Sequence, residues 1–200
     1  MSVQDYLAFD AAAPDGLRYE YWDGVVLPVH GYAADGVTAM AGAGPAHNQI
    51  TGNLVAALHG PMTAKGCRVG VGDLRVRTEA GRYGYPDVVF VCDEPVYTED
   101  VPPVLLNPTL IIEVSSPSTA ARDRGTKMRT YTQSASLVEY WLVESSAAEI
   151  TRVARTADGW SLHFATGRDA VLASDALGVA VALADVYRLV EWALVPPETP

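Results

Sequence analysis

Positive charge is scarce in this chain. Lys and Arg number 14 against 24 Asp and Glu, giving a formal net charge of -10. Broad nucleic-acid binding draws its affinity from cations that neutralise phosphates, so this balance argues against it. A local basic patch stays open, because cationic residues cluster from Arg68 to Arg82 and from Arg122 to Arg129. Cysteine is scarce as well. Cys67 and Cys92 form no CxxC pattern and have no His at ligand spacing, so buried free thiols are expected ahead of a disulfide or zinc site, and a reducing compartment fits. No apolar run reaches the roughly 18 residues of a membrane span, and Met-Ser-Val-Gln-Asp5 lacks the basic start and apolar run of a secretion signal. The expectation is a cytoplasmic protein with no membrane partner. Internal repeats, GxGxxG, P-loop and HExxH motifs are all missing. No Ser/His/Asp arrangement can be read; Ser115 and Ser116 have no His nearby in sequence, and loop capping is their expected job.

Apolar residues make up 49% of the chain and charged residues 19%, the balance of a globular protein. With no long Pro/Ser/Gly linker, a single domain over residues 1–200 is expected, with an N-terminal helix and turn over 1–18 and a tail over 191–200. Ser2 and Asp5 have capping-box spacing ahead of a short helix. Asp23-Gly24 supplies the positive φ angles of a tight turn, so Tyr19–Trp22 and Val25–Val29 read as a hairpin. Residues 31–44 form a Gly/Ala-rich loop, after which Pro45 opens a helix to about Lys65 with Ile50, Leu54, Ala57, Leu58 and Met62 on its buried side. His47 falls in its first turn, where a positive helix end disfavours protonation; a neutral, structural hydrogen bond is expected ahead of catalysis. His59, near the other end, is expected at the surface or as a charge partner of the helix C-terminus.

Cys67–Thr78 alternates like one strand, and residues 93–107, rich in Pro and acids, read as an irregular connection. After Pro117 the spacing predicts a helix over 118–131 with Asp123, Lys127 and Tyr131 four apart on one face. An exposed pair is the plain reading of Asp123 and Lys127. Val138–Val143 and Glu149–Val153 read as paired strands, followed by strands at 160–165 and near 170–172, and a final strand and short helix from Val179 onward.

Two strands carry the same anomaly. Leu110-Ile-Ile-Glu-Val114 sets Glu113 among apolar β-formers, and Tyr85-Pro-Asp-Val-Val-Phe-Val91 is headed by Asp87. Burying an ionised carboxylate costs several kcal/mol, by order of magnitude, unless a cation or donors meet it. A hard divalent ion shared between the two, with Lys127 nearby, would meet that need, since Mg²⁺ is commonly held by one or two carboxylates with water and substrate phosphate. Mutual neutralisation through water or Arg75 is the competing reading. Glu20 shares a strand face with Trp22, which suits a solvent-facing acid and an acid projecting into a site alike.

Tyr19-Glu-Tyr-Trp-Asp-Gly24, the helix starting near His47, Tyr85-Pro-Asp-Val88, Ile112-Glu-Val-Ser-Ser-Pro-Ser-Thr119, Asp123 with Lys127 and Tyr131, and Glu139-Tyr-Trp-Leu-Val143 follow in a familiar order. Over about residues 1 to 190 the chain resembles the Uma-type restriction-endonuclease family, a branch of the PD-(D/E)XK nuclease superfamily. The resemblance implies an α/β fold: a restriction-endonuclease-like core, a mixed β-sheet flanked by helices, with an N-terminal β-hairpin. It implies a Mg²⁺ (or Mn²⁺) site at Asp87, Glu113 and the main-chain carbonyl of Val114. Lys127 would orient water or stabilise phosphate, Glu20 would support the site, and DNA would be the substrate, with a homodimer as in many members of the superfamily. The superfamily pattern places Lys two residues after the Glu, where this chain has Ser115; Lys127 matches the lysine that the Uma-type pattern carries on the following helix. A nuclease-like fold that no longer cleaves and serves as an interaction module is the alternative, as is hydrolysis of another phosphorylated substrate.

Overall fold

The computed structural model describes residues 1–14, 17–30, 44–115 and 123–192. Helix α1 (Val3–Ala11) starts as its capping box predicts: the Asp5 amide donates to Ser2 Oγ at 3.1 Å, and the Ser2 amide donates to Asp5 Oδ2 at 3.3 Å. The Asp23-Gly24 turn then joins β1 (Arg18–Trp22) to β2 (Val25–His30), with φ of 51° and 87° at the two turn residues. These φ signs are why the hairpin is tight and its register fixed, Trp22 facing Val25.

Helix α2 (Pro45–Thr63) buries Ile50, Leu54, Leu58 and Met62, a stripe four residues apart. Truncating one of them, as in Leu54→Ala, costs about 2–5 kcal/mol in cores of this kind. The expected single strand over 67–78 is instead two strands in different sheets: β3 (Arg68–Val71) and β4 (Val76–Arg77). Gly72 takes a φ of 65°, and Leu74 folds back so closely on Gly70 that an added Cβ there would stand 2.6 Å from its side chain. Alternation in the sequence survives this fold-back, which is why it reads as one strand.

β5 (Tyr83–Gly84) joins β4 and β1 in a four-stranded sheet of order β2-β1-β5-β4. β6 (Val88–Val91), β7 (Leu110–Ser115), β8 (Glu139–Glu144), β9 (Glu149–Thr156) and β10 (Gly159–Thr166) form a six-stranded sheet with β3, ordered β10-β9-β8-β7-β6-β3. Only β7–β8 is parallel in that sheet, so it is mixed. One face, with Val88, Phe90, Leu110, Ile112 and Val143, packs on α2; the other, with Val89, Ile111, Tyr140 and Leu142, packs on Trp22, Leu105 and Tyr131. Covering on both faces is what lets β7 be buried along its whole length.

The connection over 93–107 is irregular, as expected, and is pinned by Leu105, which exchanges main-chain hydrogen bonds of 2.9 Å with Arg75 and Arg77. A π-helical turn over Asp123–Lys127 runs into α3 (Met128–Tyr131); residues 118–122 of the expected helix lie outside the described residues, as do 31–43 of the Gly/Ala-rich loop. β11 (Val171–Ser174) and β12 (Val179–Ala182) pair with each other, and α4 (Leu183–Val186) follows. Among the described residues no helix is long and apolar enough to cross a membrane.

The expectation of free thiols is overturned: Cys67 and Cys92 form a disulfide. The cause is register. Arg68 faces Val91 in the antiparallel β3–β6 pair, so the next residues outward, Cys67 and Cys92, stand opposite each other with Cα atoms 3.9 Å apart. The thiols therefore carry no argument for a reducing compartment.

Candidate active site

Sheet register assembles the site. Val88 faces Ile112 and Val89 faces Ile111, which brings Asp87, just ahead of β6, level with Glu113 on β7. The Val114 amide donates to Asp87 Oδ2 at 2.7 Å and ties the two strands at that level. Glu20 enters from the hairpin: the Tyr85 amide donates to its Oε1 at 3.1 Å and the Trp22 indole to its Oε2 at 3.0 Å. The acid is only 2% exposed, so the solvent-facing reading of Glu20 is excluded.

Lys127 fills the space between these strands. Its Nζ lies 3.0 Å from Glu113 Oε1, 3.0 Å from Glu20 Oε1 and 3.7 Å from Asp123 Oδ1. The π-helical turn carries both Asp123 and Lys127 inward, and the Tyr140 hydroxyl anchors it by donating to the Asp123 carbonyl at 3.1 Å. π-type turns recur at functional sites, where the widened turn re-aims side chains. The plain expectation of an exposed Asp123–Lys127 pair fails, since both are buried, at 3% and 4% exposure.

The electrostatics follow from burial and crowding. Burial pushes the Glu113 carboxyl well above its usual range; Lys127 pulls it back, and the nearby Asp123, Asp87 and Glu20 push it up further. The buried phenols of Tyr131 and Tyr140 are raised by burial first and by Glu113 next. His47, at the start of α2, meets Asp87: its Nε2 lies 3.2 Å from Asp87 Oδ1. Burial opposes a charge on His47, but the Asp87 hydrogen bond, the charges of Asp87 and Asp123 and the Val114 carbonyl together raise its pKa above the usual value. This contact with Asp87 was not legible in sequence, and neither was the inward turn of Asp123; the one available signal was the four-residue spacing of Asp123 and Lys127.

Arg75 does not serve this cluster. It pairs with Asp10 and approaches the Tyr6 hydroxyl, beside a cavity of about 500 Å³ bordered by Arg18, Asp73, Tyr85 and Pro102. The loop that Ser115 is expected to cap begins at residue 116 and lies outside the described residues up to 122. Ser115 itself ends β7 fully buried, and its hydroxyl has no hydrogen-bond partner among the described residues. Ser116 lies outside the described residues. His59 is exposed, as expected.

The donor set is made of hard oxygens, four carboxylates against the single ammonium of Lys127, with His47 at the edge. That chemistry fits Mg²⁺ or Mn²⁺ rather than a thiophilic ion. Among the described residues no three His, Cys, Asp or Glu side chains close around one point as a metal cage. A hard ion held by two carboxylates, a main-chain oxygen and water does not require such a cage.

The mixed sheet flanked by helices, with the acids and lysine gathered where Asp87 and Glu113 stand level, defines a restriction-endonuclease-like fold. The chain belongs to the Uma2 family, described as "Putative restriction endonuclease", which matches residues 3–184. Two uncharacterized proteins of Synechocystis sp., slr1290 and sll1609, are each 28% identical to it, over 94% and 85% of this chain and 92% and 90% of their own lengths. The crystal structure of "a putative nuclease belonging to DUF820" from Anabaena variabilis superposes with a TM-score of 0.69 at 12% identity, covering 94% of this chain and 97% of that one.

Proposed function

We propose that this protein is a metal-dependent endonuclease that hydrolyses DNA phosphodiester bonds, with Mg²⁺ or Mn²⁺ held by Asp87, Glu113 and the main-chain carbonyl of Val114. The observation that carries the reading is the placement of Lys127 Nζ, 3.0 Å from Glu113 Oε1, which supplies a cation where Ser115 cannot. Membership of the Uma2 family supports it. A bound divalent ion would lower the pKa of a water and stabilise charge on the phosphate.

The chain's own groups do the rest. Asp87 and Glu113 present oxygens from adjacent strands, so their separation is set by sheet register rather than by flexible loops. Lys127 orients the attacking water and offsets charge developing on the phosphate oxygens. Glu20 also pairs with Lys127 and is itself fixed by Tyr85 and Trp22. The fully buried Tyr131 and Tyr140 wall off the inner side of the cluster.

Cleavage of supercoiled plasmid and labelled oligonucleotides in Mg²⁺ and Mn²⁺ tests the reading. Asp87→Ala and Glu113→Ala should abolish metal-dependent cleavage with the fold intact, and Lys127→Ala should lower it by about 10²–10³-fold. Cleavage unchanged in both carboxylate variants would sink the assignment.

A second reading, an interaction module or a hydrolase of a smaller phosphorylated substrate, is favoured by the arginines. Arg18, Arg68, Arg82 and Arg124 pair with Asp73, Glu94, Asp23 and Glu144, so much of the cationic surface already faces acids. The exposed pairs among them are weak enough to be redirected to phosphates. Loss of DNA binding at 150 mM salt with Mn²⁺ still bound would favour the hydrolase of a smaller phosphorylated substrate, and the same loss with no Mn²⁺ bound would favour the interaction module.

A further inference from the structure

Both oxygens of Asp87 are engaged. Oδ2 accepts the Val114 amide at 2.7 Å, and Oδ1 faces His47 Nε2 at 3.2 Å. The two contacts come from different elements, β7 on one side and the first turn of α2 on the other, so the carboxylate plane is held at two points. An aspartate held only by the amide would rotate about its χ2 torsion, which is a broad, shallow coordinate. The His47 ring is itself held in place. It sits in the first turn of a nineteen-residue helix whose Ile50 and Leu54 are fully buried, and its side chain is 16% exposed.

The other ring nitrogen identifies the donor. His47 Nδ1 is buried and has no hydrogen-bond partner among the described residues. A bare lone pair left without a partner costs less than a buried N–H left without one, so the proton of the neutral ring belongs on Nε2, toward Asp87. The charged ring also carries a proton on Nε2. The donor facing Asp87 is therefore present in either state.

We infer that His47 is a positioning residue for the metal-holding carboxylate: it donates from Nε2 to Asp87 Oδ1 and fixes the orientation in which Asp87 presents its remaining lone pairs to a divalent ion. This rests on the metal reading given above. Groups that orient metal-ligating side chains in this way typically account for 10–100-fold in metal affinity when removed. The inference yields a specific rescue. Gln can place its Nε2 amide near the position of the imidazole Nε2, whereas Leu fills similar space without a donor.

Isothermal titration of Mn²⁺ into the full chain separates the possibilities. Wild type and His47→Gln are expected to bind with affinities within threefold of each other, His47→Leu to bind about 10–100-fold more weakly, and Asp87→Asn to show no measurable binding. Thermal melts of the metal-free variants check folding; if His47→Leu does not fold, His47→Asn, whose amide is too short to reach Asp87, takes its place. Wild-type affinity in the donor-less variant overturns the positioning role and leaves the metal reading standing. Gln failing together with Leu also overturns it, because the imidazole would then be acting as something other than an N–H donor. If wild type itself binds no Mn²⁺, the metal reading falls and this inference falls with it.

Discussion

Lys127 Nζ stands 3.0 Å from Glu113 Oε1, a contact made across 14 positions of sequence and buried on both sides. The same ammonium also touches Glu20 and Asp123, so one cation serves three acids. Removing one partner of a buried ion pair is far more damaging than never having built it, because the survivors remain desolvated. Lys127→Met, which keeps the stem and deletes the charge, should destabilise the metal-free protein by about 3–5 kcal/mol in urea unfolding at pH 7.5. The deficit should shrink toward low pH, where Glu113, held above its usual range by burial, takes up its proton, and Lys127→Met combined with Glu20→Gln should recover part of it. A Lys127→Met midpoint equal to that of wild type would mean that the cluster is not held as described.

Gly84 is where the hairpin meets the site. A Cβ there would stand 2.3 Å from the Tyr131 hydroxyl and 2.7 Å from the Trp22 ring, and neither side chain is free to withdraw, since both are buried. Gly84→Ala should cost about 1–3 kcal/mol through overpacking. It should also weaken Mn²⁺ binding, because the Trp22 indole holds Glu20 Oε2 and Glu20 holds Lys127. Stability and affinity should fall together; loss of stability with unchanged affinity would uncouple the hairpin from the site.

Much of this cluster was legible in the sequence for a single reason: a carboxylate among apolar β-formers is expensive, so Asp87 and Glu113 announce themselves. The Asp23-Gly24 turn and the Ser2 capping box were legible because each is a local device with its own residue signature. His47 and the inward turn of Asp123 were not, because their contacts depend on how a helix is set against the sheet, and no spacing within α2 or within the π-helical turn encodes that. The disulfide stayed hidden for a related reason: Cys67 and Cys92 meet only through the β3–β6 register. The 67–78 segment misled because the fold-back at Gly72 interrupts the strand without interrupting the alternation.

The disulfide closes a loop of 25 residues, and on chain-entropy grounds such a cross-link is worth about 3.5 kcal/mol. It sits at the far end of β6 from Asp87. Replacing both cysteines by Ser should lower the unfolding midpoint accordingly while leaving Mn²⁺ affinity within threefold of wild type. Mass spectrometry with and without reductant checks that the bond is formed in the purified protein, and an affinity loss larger than threefold would show that the edge strand helps to set the site.

The last prediction concerns pH, and two groups act in the same direction. Glu113 has a folded pKa well above its ordinary 4.5, so the folded state keeps a proton that the unfolded state releases. Stability must then fall as pH rises from about 4.5 through the raised value. His47 has a folded pKa above its ordinary 6.5, so the stability it contributes is complete below 6.5 and is lost as pH climbs through the raised value. The metal-free protein should therefore weaken steadily between pH 5 and pH 8, when many proteins are at their most stable. Glu113→Gln should flatten the profile and leave the variant more stable than wild type at pH 8, because a neutral amide removes the cost of a crowded buried charge. His47→Gln should flatten only the part above 6.5. Saturating Mn²⁺ should reverse the slope, since deprotonated carboxylates bind the ion and its stabilisation grows as protons leave. Urea unfolding of the three proteins at half-unit pH intervals, with and without Mn²⁺, reads all of this, and a metal-free wild type that gains stability toward pH 8 would refute the raised Glu113 and His47 pKa values together.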